Sequence, residues 1–178
     1  MIKKIKIFDY RRSQIKVDEK KIERLVKNLI KKLKKRKLFL AAMESCTGGG
    51  LSNAITNIEG ASEIFKGGIV AYSNEVKIRF GVPKDLIKKY SVYSKEVALA
   101  MARAAKKKLN VDIGVGITGS ISRPDPKEPK SKVGEIFIAV VFKRKKLVNK
   151  FIFPDEKRPI IKTMIIYQVL KIIDKTIN

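Results

Sequence analysis

The chain contains no histidine and a single cysteine, Cys46. Without histidine the usual zinc ligand sets cannot be assembled, and one cysteine cannot close an internal disulfide. The same lack removes the commonest general base, so any hydrolytic chemistry has to rest on Lys, Tyr, Asp, Glu or a bound metal. No run of about 18 apolar residues occurs, which excludes an obvious membrane-spanning helix. The opening MIKKIKIF is basic but is followed by no apolar stretch long enough for a signal peptide. These absences predict a soluble, cytoplasmic protein with no membrane partner.

Acidic residues are also scarce, with 17 Asp and Glu against 41 Lys and Arg and a formal charge of +24. Such a field attracts phosphates, nucleic acid and anionic surfaces. The lysines are spread along the whole chain, and no zinc-finger spacing, aromatic interleaving or ribonucleoprotein-type aromatic motif accompanies them. Solvated surface lysines are therefore preferred to a specific nucleic-acid site.

What is present fits one globular domain, since 178 residues with 44% hydrophobic content can supply a contiguous core. Residues 3–8 alternate weakly, as a short strand would. Ile22, Leu25, Val26, Leu29, Ile30 and Leu33 mark one face of an amphipathic helix, and 38–43 reads as a buried strand. A helix is expected from near Gly49, a second core strand over 68–72, and a short helix over 84–89 after Pro83. Ser94 is placed to cap a helix running to about Leu109. A buried strand over 111–117, a polar loop over 118–132, a hairpin of 133–142 with 147–153, and a last helix from about Pro159 complete the chain. Strands interleaved with helices predict a three-layer α/β/α fold, and the late hairpin makes its sheet mixed, though mostly parallel. The expected organisation is an extension over 1–19 followed by one domain over 20–178.

Loops that follow buried strands are where open α/β sheets bind ligands. Two deserve that reading. The first is Glu44-Ser45-Cys46-Thr47-Gly48-Gly49-Gly50, which sets hydroxyls and backbone N–H groups at the start of a helix. It has neither the phosphate-loop spacing nor the dinucleotide glycine pattern, and a tight connection explains it as well as an active site does. The second is the stretch after 68–72, where Tyr72, Asn74 and Lys77 cluster at a strand end. A desolvated lysine there can serve as base to a serine hydroxyl. On the residues alone, a surface lysine and a packing tyrosine are the preferred reading.

Taken together, Met43 to Gly49, Ile69 to Lys77, Gly81-Val82-Pro83, Val97 to Ala105, Ile117-Thr118-Gly119, Pro124-Asp125 and Val133-Gly134 resemble, in order and spacing, the CinA C-terminal domain family. The resemblance covers roughly 20–175. It implies hydrolysis of the carboxamide of nicotinamide mononucleotide to nicotinate mononucleotide and ammonia, with a small-molecule nucleotide as partner and no cofactor or metal. Ser45 is then the nucleophile, Lys77 its base, and Tyr72 the residue that orients or polarises the pair. Thr47, Gly48, Gly49, Asn74, Thr118 and Gly119 are implied around the substrate, and Arg158 as a clamp on its phosphate. Cys46 is a chemical rival to Ser45, but with no histidine to make its thiolate it reads as a small buried residue.

The chain departs from the family after Gly119. A glycine-rich stretch is replaced by Ser120-Ile121-Ser122-Arg123-Pro124-Asp125-Pro126-Lys127, which must alter the backbone path. Arg123 then either adds a phosphate contact or marks a loop that no longer fits substrate. The alternatives to the amidase are accordingly a non-catalytic nucleotide-binding relative and, on charge alone, a nucleic-acid-associated protein. A homo-oligomer is compatible with all three.

Overall fold

The computed structural model describes residues 5–11, 17–122, 126, 128 and 131–177. In chain order its elements are β1 (Lys6–Asp9), α1 (Glu19–Lys35), β2 (Leu40–Glu44), α2 (Gly50–Thr56), a single 3-10 turn at Ala61–Glu63, and β3 (Phe65–Val70). They continue as α3 (Asn74–Arg79), α4 (Lys84–Tyr90), α5 (Lys95–Lys108), β4 (Ile113–Gly119), β5 (Glu135–Phe142), β6 (Lys145–Ile152) and α6 (Arg158–Ile177).

The strands form one six-stranded sheet in the order β1-β6-β5-β4-β2-β3. β2 pairs parallel with both β3 and β4, β1 pairs parallel with β6, and β5 is antiparallel to its two neighbours. Only β5 therefore runs against the common direction, as the late hairpin predicted. Its turn is Lys143-Arg144, between the paired Phe142 and Lys145, with Lys143 in the left-handed region at φ 50°.

Alternation along the strands sorts the core into two faces. Ala42, Val115, Ile117, Ile138 and Val140 pack with α1, α2 and α6, where Val26, Leu33, Leu51, Ile161, Ile165 and Val169 are buried. Ala41, Met43, Phe137, Ala139 and Val141 face the other way, onto α4 and α5. The three layers follow. α5 lies unusually close to β4, because a Cβ on Gly114 or Gly116 would stand 2.0 Å from the Ala102 carbonyl oxygen or 2.1 Å from that of Ala98. The Gly-x-Gly of the strand and the alanines of the helix are thus a matched pair.

Helix boundaries obey local chemistry. Asp18 accepts from Lys21 N–H at 2.8 Å and Ser94 from Val97 N–H at 3.2 Å, each capping the helix that follows. Three expectations need correction. β3 is not a core strand over 68–72 but the sheet's edge strand over Phe65–Val70, with alternate residues exposed and Val70 at 49% exposure. Its apolar run is short and glycine-rich, and nothing pairs with its outer edge. Thr118 and Gly119 belong to β4 rather than to the loop after it. The N-terminal strand is no loose appendage: β1 extends the sheet beyond β6, and Phe8 stacks on Phe151 with ring centroids 5.1 Å apart. Of the altered loop, Arg123, Pro124, Asp125 and Lys127 lie outside the described residues.

Candidate active site

β2, β3 and β4 are parallel neighbours, so their carboxyl ends, Glu44, Val70 and Gly119, share one edge of the sheet. Ser45 is the first residue beyond β2. Its N–H donates to Ile117 O at 3.0 Å, while Ala71 N–H donates to Glu44 O at 2.8 Å. Ser45 therefore sits between Thr118 on one flank and Ala71 on the other, each about one strand spacing, roughly 4.8 Å, away. It is buried.

Glu44 organises the turn that follows. Its carboxylate is fully buried and accepts four hydrogen bonds, from Thr47 Oγ1 (2.7 Å), Leu51 N–H (2.9 Å), Ser52 N–H (2.9 Å) and Ser52 Oγ (2.7 Å). The first-turn amides of α2 thus already hold an anion, one supplied by the chain itself. The resemblance quoted this glutamate in its motif without giving it a role. Gly48 and Gly49 carry the chain round with φ of 62° and 92°, a conformation costly for other residues. Gly48 N–H is spent on Ser45 O at 3.1 Å, whereas the N–H groups of Thr47 and Gly49 meet no acceptor among the described residues.

Lys77 stands in the second turn of α3, whose start is capped by Ser73 accepting from Val76 N–H. The side chain turns back under the helix and is 1% exposed. Its Nζ donates to the carbonyl oxygens of Ala71 (2.8 Å), Tyr72 (3.3 Å) and Ser73 (3.5 Å). The amine is therefore anchored on the residue that flanks Ser45 across β2 and β3. Burial lowers its pKa from 10.5 to about 8, against the opposing pull of Cys46 and Glu75. This lysine is no surface lysine. Tyr72, by contrast, contributes its carbonyl to the amine while its ring is 66% exposed, and Asn74 is exposed as well.

Cys46 is buried beneath the turn. Burial and, less strongly, the Glu44 charge push its thiol up to about 12, although Lys77 and Arg158 pull the other way. A thiolate is thereby disfavoured at neutral pH. Thr118 is fully buried and gives its hydroxyl proton to Val92 O at 2.9 Å, tying β4 to the segment before α5. Arg158 begins α6, is exposed, and donates to Ser122 Oγ at 2.9 Å. One helical turn later, Lys162 holds its Nζ 3.4 Å from where a Cβ on Gly48 would stand. The sequence reading omitted Lys162; its i+4 relation to Arg158 was the available signal.

A cleft of about 590 Å³ opens at the same edge, lined among others by Asn74, Lys88, Ser91, Tyr93, Ser131 and Lys132. That volume suits a small-molecule ligand, for which about 300–1,000 Å³ is usual. Among the described residues no group of three or more His, Cys, Asp or Glu side chains is placed to hold a metal, and no helix is long and apolar enough to cross a membrane.

These features define a three-layer α/β domain with its candidate site at the carboxyl ends of parallel strands. The family model described as CinA C-terminal domain matches residues 22–177, and the chain belongs to that family. A CinA-like protein of Prochlorococcus marinus subsp. pastoris is 46% identical over 122 residues, which is 68% of this chain and 28% of that one. A CinA-like protein of Thermotoga maritima is 40% identical over 145 residues, 81% of this chain and 34% of that one. The chain thus spans about a third of the length of these relatives. Among solved structures, competence/damage inducible protein CihA from Agrobacterium tumefaciens superposes with a TM-score of 0.84 at 25% identity, covering 92% of this chain and all of that one. A CinA superfamily protein from Escherichia coli, with a TM-score of 0.82 and 24% identity over 93% of this chain and 96% of that one, shares the fold.

Proposed function

We propose that the protein hydrolyses the carboxamide of nicotinamide mononucleotide to nicotinate mononucleotide and ammonia, with Ser45 as nucleophile and Lys77 as general base. The observation that carries this reading is the burial of Lys77, whose amine is anchored beside Ser45 and whose pKa of about 8 sits near the working pH. At pH 7 about a tenth of such an amine is neutral, enough for a base whose strength matches its task.

In this mechanism Ser45 Oγ attacks the amide carbon and its proton passes to Lys77 Nζ. The oxygen of the tetrahedral intermediate takes up negative charge and is held by Thr47 N–H, which has no other acceptor among the described residues. Losing one such donor typically costs about 100-fold to 1,000-fold in turnover. Collapse breaks the carbon–nitrogen bond, and Lys77 returns its proton to the departing nitrogen as ammonia forms. Water, deprotonated by the same amine, then hydrolyses the Ser45 ester and frees the carboxylate product. Tyr72 offers an exposed ring face beside the amine for an aromatic substrate. Arg158 offers a guanidinium to its phosphate.

The test is ammonia release from nicotinamide mononucleotide by purified protein in the presence of a chelator, with Ser45→Ala as control. Release by the wild type and none by the variant is the expected result. Equal release by both would assign the nucleophile elsewhere, and no release by either would refute the activity.

A further inference from the structure

Arg158 and Lys162 stand one turn apart on α6, and residues at this spacing share a helix face. That face looks onto the turn after Ser45. Lys162 Nζ lies 3.4 Å from the Cβ position of Gly48, and the Ile166 side chain, one turn further, lies 3.0 Å from that of Gly50. The stripe 158, 162, 166 is therefore laid along the chain from 45 to 50. Ile166 serves packing, being buried in the core. Lys162 does not: it is half-buried, yet forms no ion pair or hydrogen bond among the described residues.

A partly desolvated ammonium without an acceptor is an unusual expense, because lysine normally extends its head into water. The nearest buried anion cannot be its partner, since Glu44 already satisfies four donors that belong to its own loop and to α2. Around Lys162 lie further unspent donors: the N–H groups of Thr47 and Gly49, and Arg158, which gives one bond to Ser122. Donors outnumber acceptors on this side of the turn. The missing component is an anion from solution.

We infer that Lys162 receives the phosphate of a nucleoside monophosphate and is the residue through which the site prefers a nucleotide to a nucleoside. This rests on the amidase reading for the identity of the rest of the ligand. The dimensions agree with it: Gly48 N–H closes a turn on Ser45 O at 3.1 Å, so the two Cα atoms are within about 7 Å. Nucleophile and phosphate contact thereby lie at opposite ends of one turn, as the carboxamide and phosphate lie at opposite ends of the substrate. The lysine supplies a point charge, and Arg158 supplies the directional fork.

Calorimetry with ribose 5-phosphate as the probe tests this without turnover. Lys162→Gln is expected to weaken binding about 10-fold to 100-fold, the worth of a charge-assisted hydrogen bond, and Lys162→Arg to restore most of it. Melting temperatures of both variants establish that the fold is retained. Unchanged affinity in Lys162→Gln, no recovery in Lys162→Arg, or no binding by the wild type would overturn the inference. If binding depends on Lys162 but the wild type releases no ammonia from nicotinamide mononucleotide, the amidase reading falls and the phosphate site stands.

Discussion

Replacing Glu44 by Gln probes the frame of the site with a change of one heavy atom. The carboxylate oxygens each accept two bonds: Oε2 from Thr47 Oγ1 and Leu51 N–H, and Oε1 from Ser52 N–H and Ser52 Oγ. A glutamine side chain keeps one acceptor oxygen and turns an NH2 group toward the other pair of donors. A hydroxyl facing that NH2 can rotate and accept, but a backbone N–H cannot. One buried amide is left unpaired, at about 1–3 kcal/mol, and the anion at the first turn of α2 is lost, at about 0.3–1 kcal/mol or more. The expected loss is about 3 kcal/mol, which for a domain of this size lowers Tm by about 6–12 °C. Differential scanning calorimetry reads this directly. Glu44→Asp, whose carboxylate is one methylene short, should lie between the two. A Glu44→Gln protein melting within 2 °C of wild type would refute the view that this carboxylate anchors the turn and α2.

Other outcomes follow from the same geometry. Lys77 has a folded pKa of about 8, below its ordinary 10.5. The unfolded chain therefore binds more protons between those values, and stability rises with pH across that window by up to about 3 kcal/mol. Denaturation of wild type and Lys77→Met at pH 7.5 and 10.5 isolates the term: the difference between them should shift with pH, and a constant difference would argue against a desolvated amine. Cys46, with its thiol pushed up to about 12, should resist iodoacetamide at pH 8, and Cys46→Ala should keep most of the activity. Rapid alkylation, or a silent Cys46→Ala with a native melting curve, would reinstate the thiol as a rival nucleophile. Arg158→Ala should raise KM for nicotinamide mononucleotide about 10-fold with a smaller effect on kcat; a drop confined to kcat would remove Arg158 from ground-state binding.

Most elements were legible because their signals are local. The stripe from Ile22 to Leu33, the cap at Ser94 and the basic hairpin turn each declare themselves within a few residues. β3 was misplaced because edge position is a property of the sheet's pairing order, which no stretch of sequence carries, and its two glycines blur alternation. The site shows the same division. The Ser45 turn and the Tyr72 to Lys77 stretch stood out by composition, and their meeting was supplied by family resemblance. That Lys77, among 41 basic residues, is the one folded inward depends on Ser73 capping α3 and aiming position 77 back at the Ala71 carbonyl. The destination of the Glu44 carboxylate and the approach of Lys162 to Gly48 both arise from packing of α2 and α6 on the sheet, and neither has a local signature.

The central claim is that a buried lysine amine is the base for Ser45, and the pH dependence of kcat/KM tests it most directly. Nicotinamide mononucleotide hydrolysis measured from pH 6 to 10 should rise about tenfold per pH unit at the acid end and level off above about 8, following the neutral fraction of Lys77. Lys77→Arg, always protonated, should show only residual turnover at every pH. A flat wild-type profile, or a Lys77→Arg protein with the wild-type profile, would contradict the account.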